Sequence, residues 1–130
     1  MKIEVLTLCD FAADYGGKLT VVGLFDSIFA RQMPAVHPHC CLAVKLRFDK
    51  AEAGQHALRL TICDDDGKAV LAPMELTVNV AMPPDALSNT IQVVANIAGM
   101  KVDTFGEYSI DLAIDGKHEG STPLFVRQIK

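Results

Sequence analysis

Tryptophan is absent from this chain of 130 residues, and the other aromatics are Tyr15, Tyr108 and six phenylalanines. An aromatic platform of the kind that stacks on sugar rings is therefore missing. No apolar run approaches the roughly 20 residues of a membrane-spanning helix, so the apolar half of the chain is assigned to a core and no membrane partner is expected. Basic residues are outnumbered 12 to 16 by acidic ones, for a net charge of −4, and they form no cluster. A phosphate backbone needs such a cluster, so nucleic acid is not an expected partner either. CxxC spacing is lacking: Cys9, Cys40, Cys41 and Cys63 are scattered, and they read as free, buried thiols in a reducing compartment. Met1-Lys2-Ile3-Glu4 has none of the layout of a secretory signal, which points to the cytoplasm. There is no nucleophile elbow and no glycine-rich phosphate loop, and this tilts the reading away from an enzyme and leaves no cofactor expected. Helical spacing of apolar residues never lasts beyond about two turns.

Alternation is what the chain has instead. From Tyr108 the residues Tyr108, Ile110, Leu112 and Ile114 fall on one side and Ser109, Asp111, Ala113 and Asp115 on the other, the period of a half-buried strand. Asp115-Gly116 tolerates positive φ and suits a tight primed turn. The return limb is interrupted by Gly120, Ser121 and Thr122 before Pro123, which predicts a bulge near Gly120 and an edge or strand end at Pro123. The same alternation recurs in Lys2 to Leu8, Cys40 to Phe48, Gln55 to Cys63, Glu75 to Val80 and Thr90 to Ala98. Lys18 to Ala30 reads as one long apolar strand, with Gly23 marking a bulge or a close approach by another backbone. Ala69 to Ala72 reads as a short returning run, and Met33 to Pro38, with two prolines, as a loop. Eight or nine short strands with turn signals about every 10 residues predict an all-β, two-sheet antiparallel β-sandwich, immunoglobulin-like or jelly-roll-like. A single domain spanning 1–130 buries roughly two thirds of its unfolded surface.

Four stretches resemble a family of small bacterial β-sandwich proteins known only as a domain of unknown function. They are LCDFAADYGGKLTVVGLFDSIFA, PAVHPH, DDDGK and the closing GEYSIDLAIDG…PLFV. The resemblance spans nearly the whole chain and implies the fold. It implies no activity, cofactor or catalytic residue.

Candidate sites are few, and each has a plain structural alternative. His37-Pro38-His39-Cys40-Cys41 is the densest set of metal-ligand types, but the glutamate that follows an HxH pair in metal-binding barrels is missing, so these read as loop imidazoles beside a strand and no metal is assigned. Asp64-Asp65-Asp66-Gly67 lacks the further ligands of a calcium loop and reads as a solvated turn whose carboxylates bond nearby backbone. Asp10 and Asp26 each adjoin a phenylalanine within apolar segments. Brought together, they would form a pair of the kind that raises one pKa for acid-base work, and kept apart, each accepts backbone N–H bonds. The favoured function is a non-enzymatic module that binds a protein partner or forms a homo-oligomer. The rival is a small-molecule or metal-binding protein using the 37–41 stretch or the two aspartates, with Asp10, Asp26, His37 and His39 as the binding candidates.

Overall fold

A computed structural model describes every residue from Met1 to Lys130. The alternating segments form nine strands: β1 (Lys2–Tyr15), β2 (Lys18–Phe25), β3 (Ser27–Ala30), β4 (Ala35–Asp49), β5 (Gly54–Cys63), β6 (Met74–Val80), β7 (Ser88–Val102), β8 (Gly106–Ile114) and β9 (Lys117–Gln128). The only helical piece is a 3-10 turn at Lys50–Glu52, closed by a capping box between Asp49 and Glu52. Strands lie in the order β2-β1-β4-β7 in one sheet and β3-β9-β8-β5-β6 in the other. Both sheets contribute to one buried cluster, with Leu42, Val44, Leu46 and Phe48 from β4 meeting Leu58, Leu60, Ile110, Leu112 and Leu124.

The β8–β9 hairpin follows its sequence pattern closely. Tyr108, Ile110, Leu112 and Ile114 are all buried, and Asp115 and Gly116 both take positive φ, 52° and 81°, as a primed turn requires. Leu112 pairs with Gly120 and Ala113 with His118, so Glu119 is the extra residue of a bulge beside Gly120. Pro123 sits inside β9 opposite Ser109, but β3 flanks β9 only from Phe125 onward. The proline is thus locally at an edge, where its missing N–H costs no ladder bond.

Three expectations are corrected. Lys18 to Ala30 is two strands rather than one, because the chain crosses from the first sheet to the second at Asp26; β3 then runs parallel to β9, so the strands are not antiparallel throughout. Met33 to Pro38 is mostly strand, since β4 begins at Ala35, and His37 and His39 lie on it rather than in a loop. Pro38 is tolerated because the β1 ladder ends at Cys9 opposite Cys41, leaving that side of β4 without a partner, and because Pro38 is skipped in the pairing with β7. Ala69 to Ala72 does return along β5, by an antiparallel bridge from Ala69 to Cys63 with Val70 N donating to Ile62 O at 2.8 Å, and goes no further as a strand.

A smaller cluster of Cys9, Ala12, Cys41 and Ala43 lies on the other side of the first sheet, with Leu19, Val21 and Val94 packed against it. The β1–β2 hairpin therefore lies over that side, and Gln92 Nε2 donates to Gly17 O at 2.7 Å to hold its tip. All four cysteines are free, but only Cys9, Cys40 and Cys41 are buried; Cys63, at the end of β5, is half-buried, contrary to its reading as a buried thiol. Cys40 and Cys41 point to opposite sides, one into each cluster. Burial pushes the Cys9 thiol up, and the Cys40 thiol up to about 11, which keeps both protonated and unreactive.

The Asp115 turn is tied back onto β5. Its carboxylate accepts from Ala57 N at 2.9 Å and meets His56 Nδ1 at 2.7 Å. His56 Nε2 faces the Glu52 carbonyl at 2.6 Å, and the ring stacks on Phe48 with centroids 4.9 Å apart. Two acceptors facing two ring nitrogens are both satisfied only by the imidazolium. The His56 pKa is accordingly raised above 6.5, first by the Glu52 carbonyl and then by Asp115. A pKa raised by folding stabilises fully below the unfolded value and stops stabilising as pH rises through the folded value. Thermal stability is therefore expected to fall as pH rises from 6.5 through that higher value, and His56→Gln should flatten this part of the curve. Melting curves across the window check it; an equal slope in wild type and variant would remove His56 as the cause.

Candidate functional site

The crossover at Asp26 builds the most distinctive feature of the surface. Beyond Cys9, β1 continues beside β2 while β4 continues toward its start without β1, so a gap opens between them. A cavity of about 460 Å³ fills this gap, lined by Asp10, Gly23, Leu24, Phe25, Phe29 and His37 among others. Gly23 is held at φ 69°, and a Cβ there would overlap the Asp10 carboxylate. Glycine is what lets that carboxylate lie against the β2 backbone. His37 is half-buried, its ring 5.5 Å from that of Phe25 at a 47° tilt.

Of the four sequence candidates, Asp10 and His37 line this one cleft, and Asp26 and His39 do not. Asp26 sits at the crossover, where its carbonyl accepts from Phe125 N at 2.7 Å and its carboxylate from Ser27 Oγ at 3.1 Å. His39 is exposed on β4 opposite Ala98. Cys40 is sealed in the main core.

The residues that sequence reasoning missed are apolar. Leu24 is 66% exposed, Phe29 58%, Val22 54% and Phe11 47%. Leu24 and Phe29 border the cleft, and Phe11 and Val22 are cross-strand partners just beyond it on the β1–β2 hairpin. The signal was present in LTVVGLF, where both alternating sets are apolar although β2 is an edge strand and one of its sides faces water. Chemically the cleft offers a carboxylate and an imidazole framed by large apolar side chains. Such an arrangement suits an apolar group carrying a donor or a positive charge, and it contains no activated nucleophile.

A second concavity, of about 660 Å³, lies over β8 and β9 beside the Asp64–Lys68 turn and is lined by Asp64, Asp65, Glu107 and Asp111 with Ser109 and Ser121. Asp111 accepts from Ser109 Oγ at 2.7 Å and from Ser121 Oγ, and His118 Nε2 lies 3.3 Å from the same Ser121 oxygen. The serine proton is directed to the carboxylate, and the carboxylate does not orient the imidazole, so the relay of a serine nucleophile is not formed. In the turn itself, Asp64 Oδ1 accepts from Asp66 N and Lys68 N, as expected of a solvated turn.

The sequence profile of a family of unknown function, DUF6941, matches residues 4–127. The chain belongs to that family. No curated protein matches the chain. Among solved structures, the Pseudomonas fluorescens alkylpurine DNA glycosylase AlkC, bound to DNA containing an abasic site analog, aligns with 97% of this chain at 12% identity and a TM-score of 0.52. A β-glucuronidase from glycoside hydrolase family 2 aligns with 72% of it at 17% identity and a TM-score of 0.41. The chain spans 30% of the glycosylase and 11% of the glucuronidase. The likeness to the glycosylase is one of fold, and the all-β architecture extends across the family match. No helix is long and apolar enough to cross a membrane.

Proposed function

We propose that the protein is a non-enzymatic interaction module, a β-sandwich formed by its two sheets, that binds a protein partner at the cleft of the β2–β3 crossover. The observation that carries this reading is that Leu24 and Phe29, large and exposed, line a cleft holding Asp10, with the exposed pair Phe11 and Val22 next along the same hairpin. Exposed apolar groups gathered in one place mark association sites, whereas scattered ones need no explanation. The partner would present an apolar side chain with a basic neighbour, the apolar group seated against Leu24 and Phe29 and the base on Asp10. A cytoplasmic setting is part of the proposal and is supported by the four free cysteines.

The test is a paired surface substitution, Leu24→Lys with Phe29→Lys. Both side chains are mostly in water already, so each change should alter stability by only about 0.5 kcal/mol. The expected result is an unchanged melt together with loss of a partner that wild type retains from native lysate, and Asp10→Asn should weaken that partner's affinity. Retention of the same partner by the paired variant would overturn the reading.

A further inference from the structure

We infer that the free edge of β7 is a self-pairing surface, through which two copies of the chain join their four-stranded sheets antiparallel about a two-fold axis beside Val94. This surface is separate from the cleft, at the other end of the first sheet from β2.

Four strands are edges: β2 and β7 in one sheet, β3 and β6 in the other. An open edge is a template for another strand, and proteins protect it with shortness, charge, proline or a kink. β3 has four residues. β6 has seven, follows Pro73 and carries Glu75. β2 is kinked at Gly23, which takes positive φ. β7 carries one such device, a kink at Gly99 with φ 64°, and it lies near the end of the strand, leaving Ser88 to Ala98 unprotected. β7 is 15 residues long, laddered with β4 on one side except at Gly99 opposite Pro38, and contains no proline and no charged residue from Ser88 to Met100.

The side chains agree with the backbone. Ile91, Val93 and Ala95 pack against the main core, and Val94 against the smaller cluster on the other side, yet all four are only half-buried. A strand added at this edge would complete burial on both sides of the sheet at once. The edge carries no charge with which to select a different strand, and an uncharged strand meets no like-charge repulsion from its own copy. A two-fold antiparallel pairing is self-complementary by symmetry. Centring the uncharged run places the axis beside Val94, so that Thr90 faces Ala98 of the second copy inside the Gly99 kink and Lys101 falls past the end.

Light scattering or sedimentation equilibrium on the whole chain tests this. Wild type should show twice the single-chain mass of 14.0 kDa. With the axis beside Val94, Thr90 faces Ala98 of the other copy. Thr90→Lys with Ala98→Lys then sets lysine against lysine and should give the single-chain mass, as should Thr90→Glu with Ala98→Glu. Mixed in equal amounts, the two variants should regain the double mass, a result that misfolding cannot produce. Leu24→Lys with Phe29→Lys should leave the mass unchanged, which separates this inference from the cleft reading. A single-chain mass for wild type at every concentration would overturn it. So would a lysine variant that remains double, or folded variants that fail to combine.

Discussion

Phe48→Ala is expected to lower the melting temperature by roughly 10–20 °C, the sum of a lost transfer contribution and a cavity worth together about 3–5 kcal/mol. Phe48 is the largest side chain with no exposure at all, and it closes β4 just before Asp49 caps the 3-10 turn. Its ring supports His56 by stacking, so the cavity opens directly beneath the imidazolium that ties β5 to the Asp115 turn. Two effects should therefore appear together: a loss that is large against a total stability of about 5–15 kcal/mol, and a shallower dependence of stability on pH above 6.5. Phe48→Leu keeps the site apolar and should cost much less, because part of the volume is refilled. Differential scanning calorimetry of both variants at two pH values checks this. An alanine variant within about 1 kcal/mol of wild type would mean that the two sheets do not depend on this part of the core.

The β8–β9 hairpin was legible residue by residue because every signal in it is local: alternation, a turn pair that accepts positive φ, a glycine at the bulge. Pro38 makes His37 and His39 read as loop residues, yet a proline forbids a ladder bond only where a neighbour is there to receive one. Whether a neighbour exists depends on where β1 leaves β4, and that departure is set by a hairpin folding over the sheet, not by the residues around Pro38. The cleft was half legible for the same reason. Asp10 and His37 were singled out for their chemistry, but their shared cavity arises from a crossover between sheets that no local pattern announces. The free edge of β7 is invisible to alternation, which says which side of a strand is buried and nothing about which strands lie beside it.

Gly23→Ala is the second change expected to be large. The residue holds φ at 69°, where a Cβ costs about 1–2 kcal/mol, and the same Cβ would collide with the Asp10 carboxylate, adding about 1–3 kcal/mol of overpacking. The two costs are separable, because only the second depends on Asp10. Asp10 is itself exposed, so Asp10→Ala alone should change stability by no more than about 0.5 kcal/mol. In the double variant the collision is relieved and the φ cost remains. Denaturant melts of the four proteins should thus give a favourable coupling of about 1–3 kcal/mol between positions 10 and 23. Simple additivity would show that the carboxylate does not lie over the glycine, and the cleft would then lack its charged wall. If the coupling is found, Gly23 has a second role besides turning the chain. It sets how closely a carboxylate can approach the β2 backbone, and through that it shapes the floor on which a partner's basic group would rest.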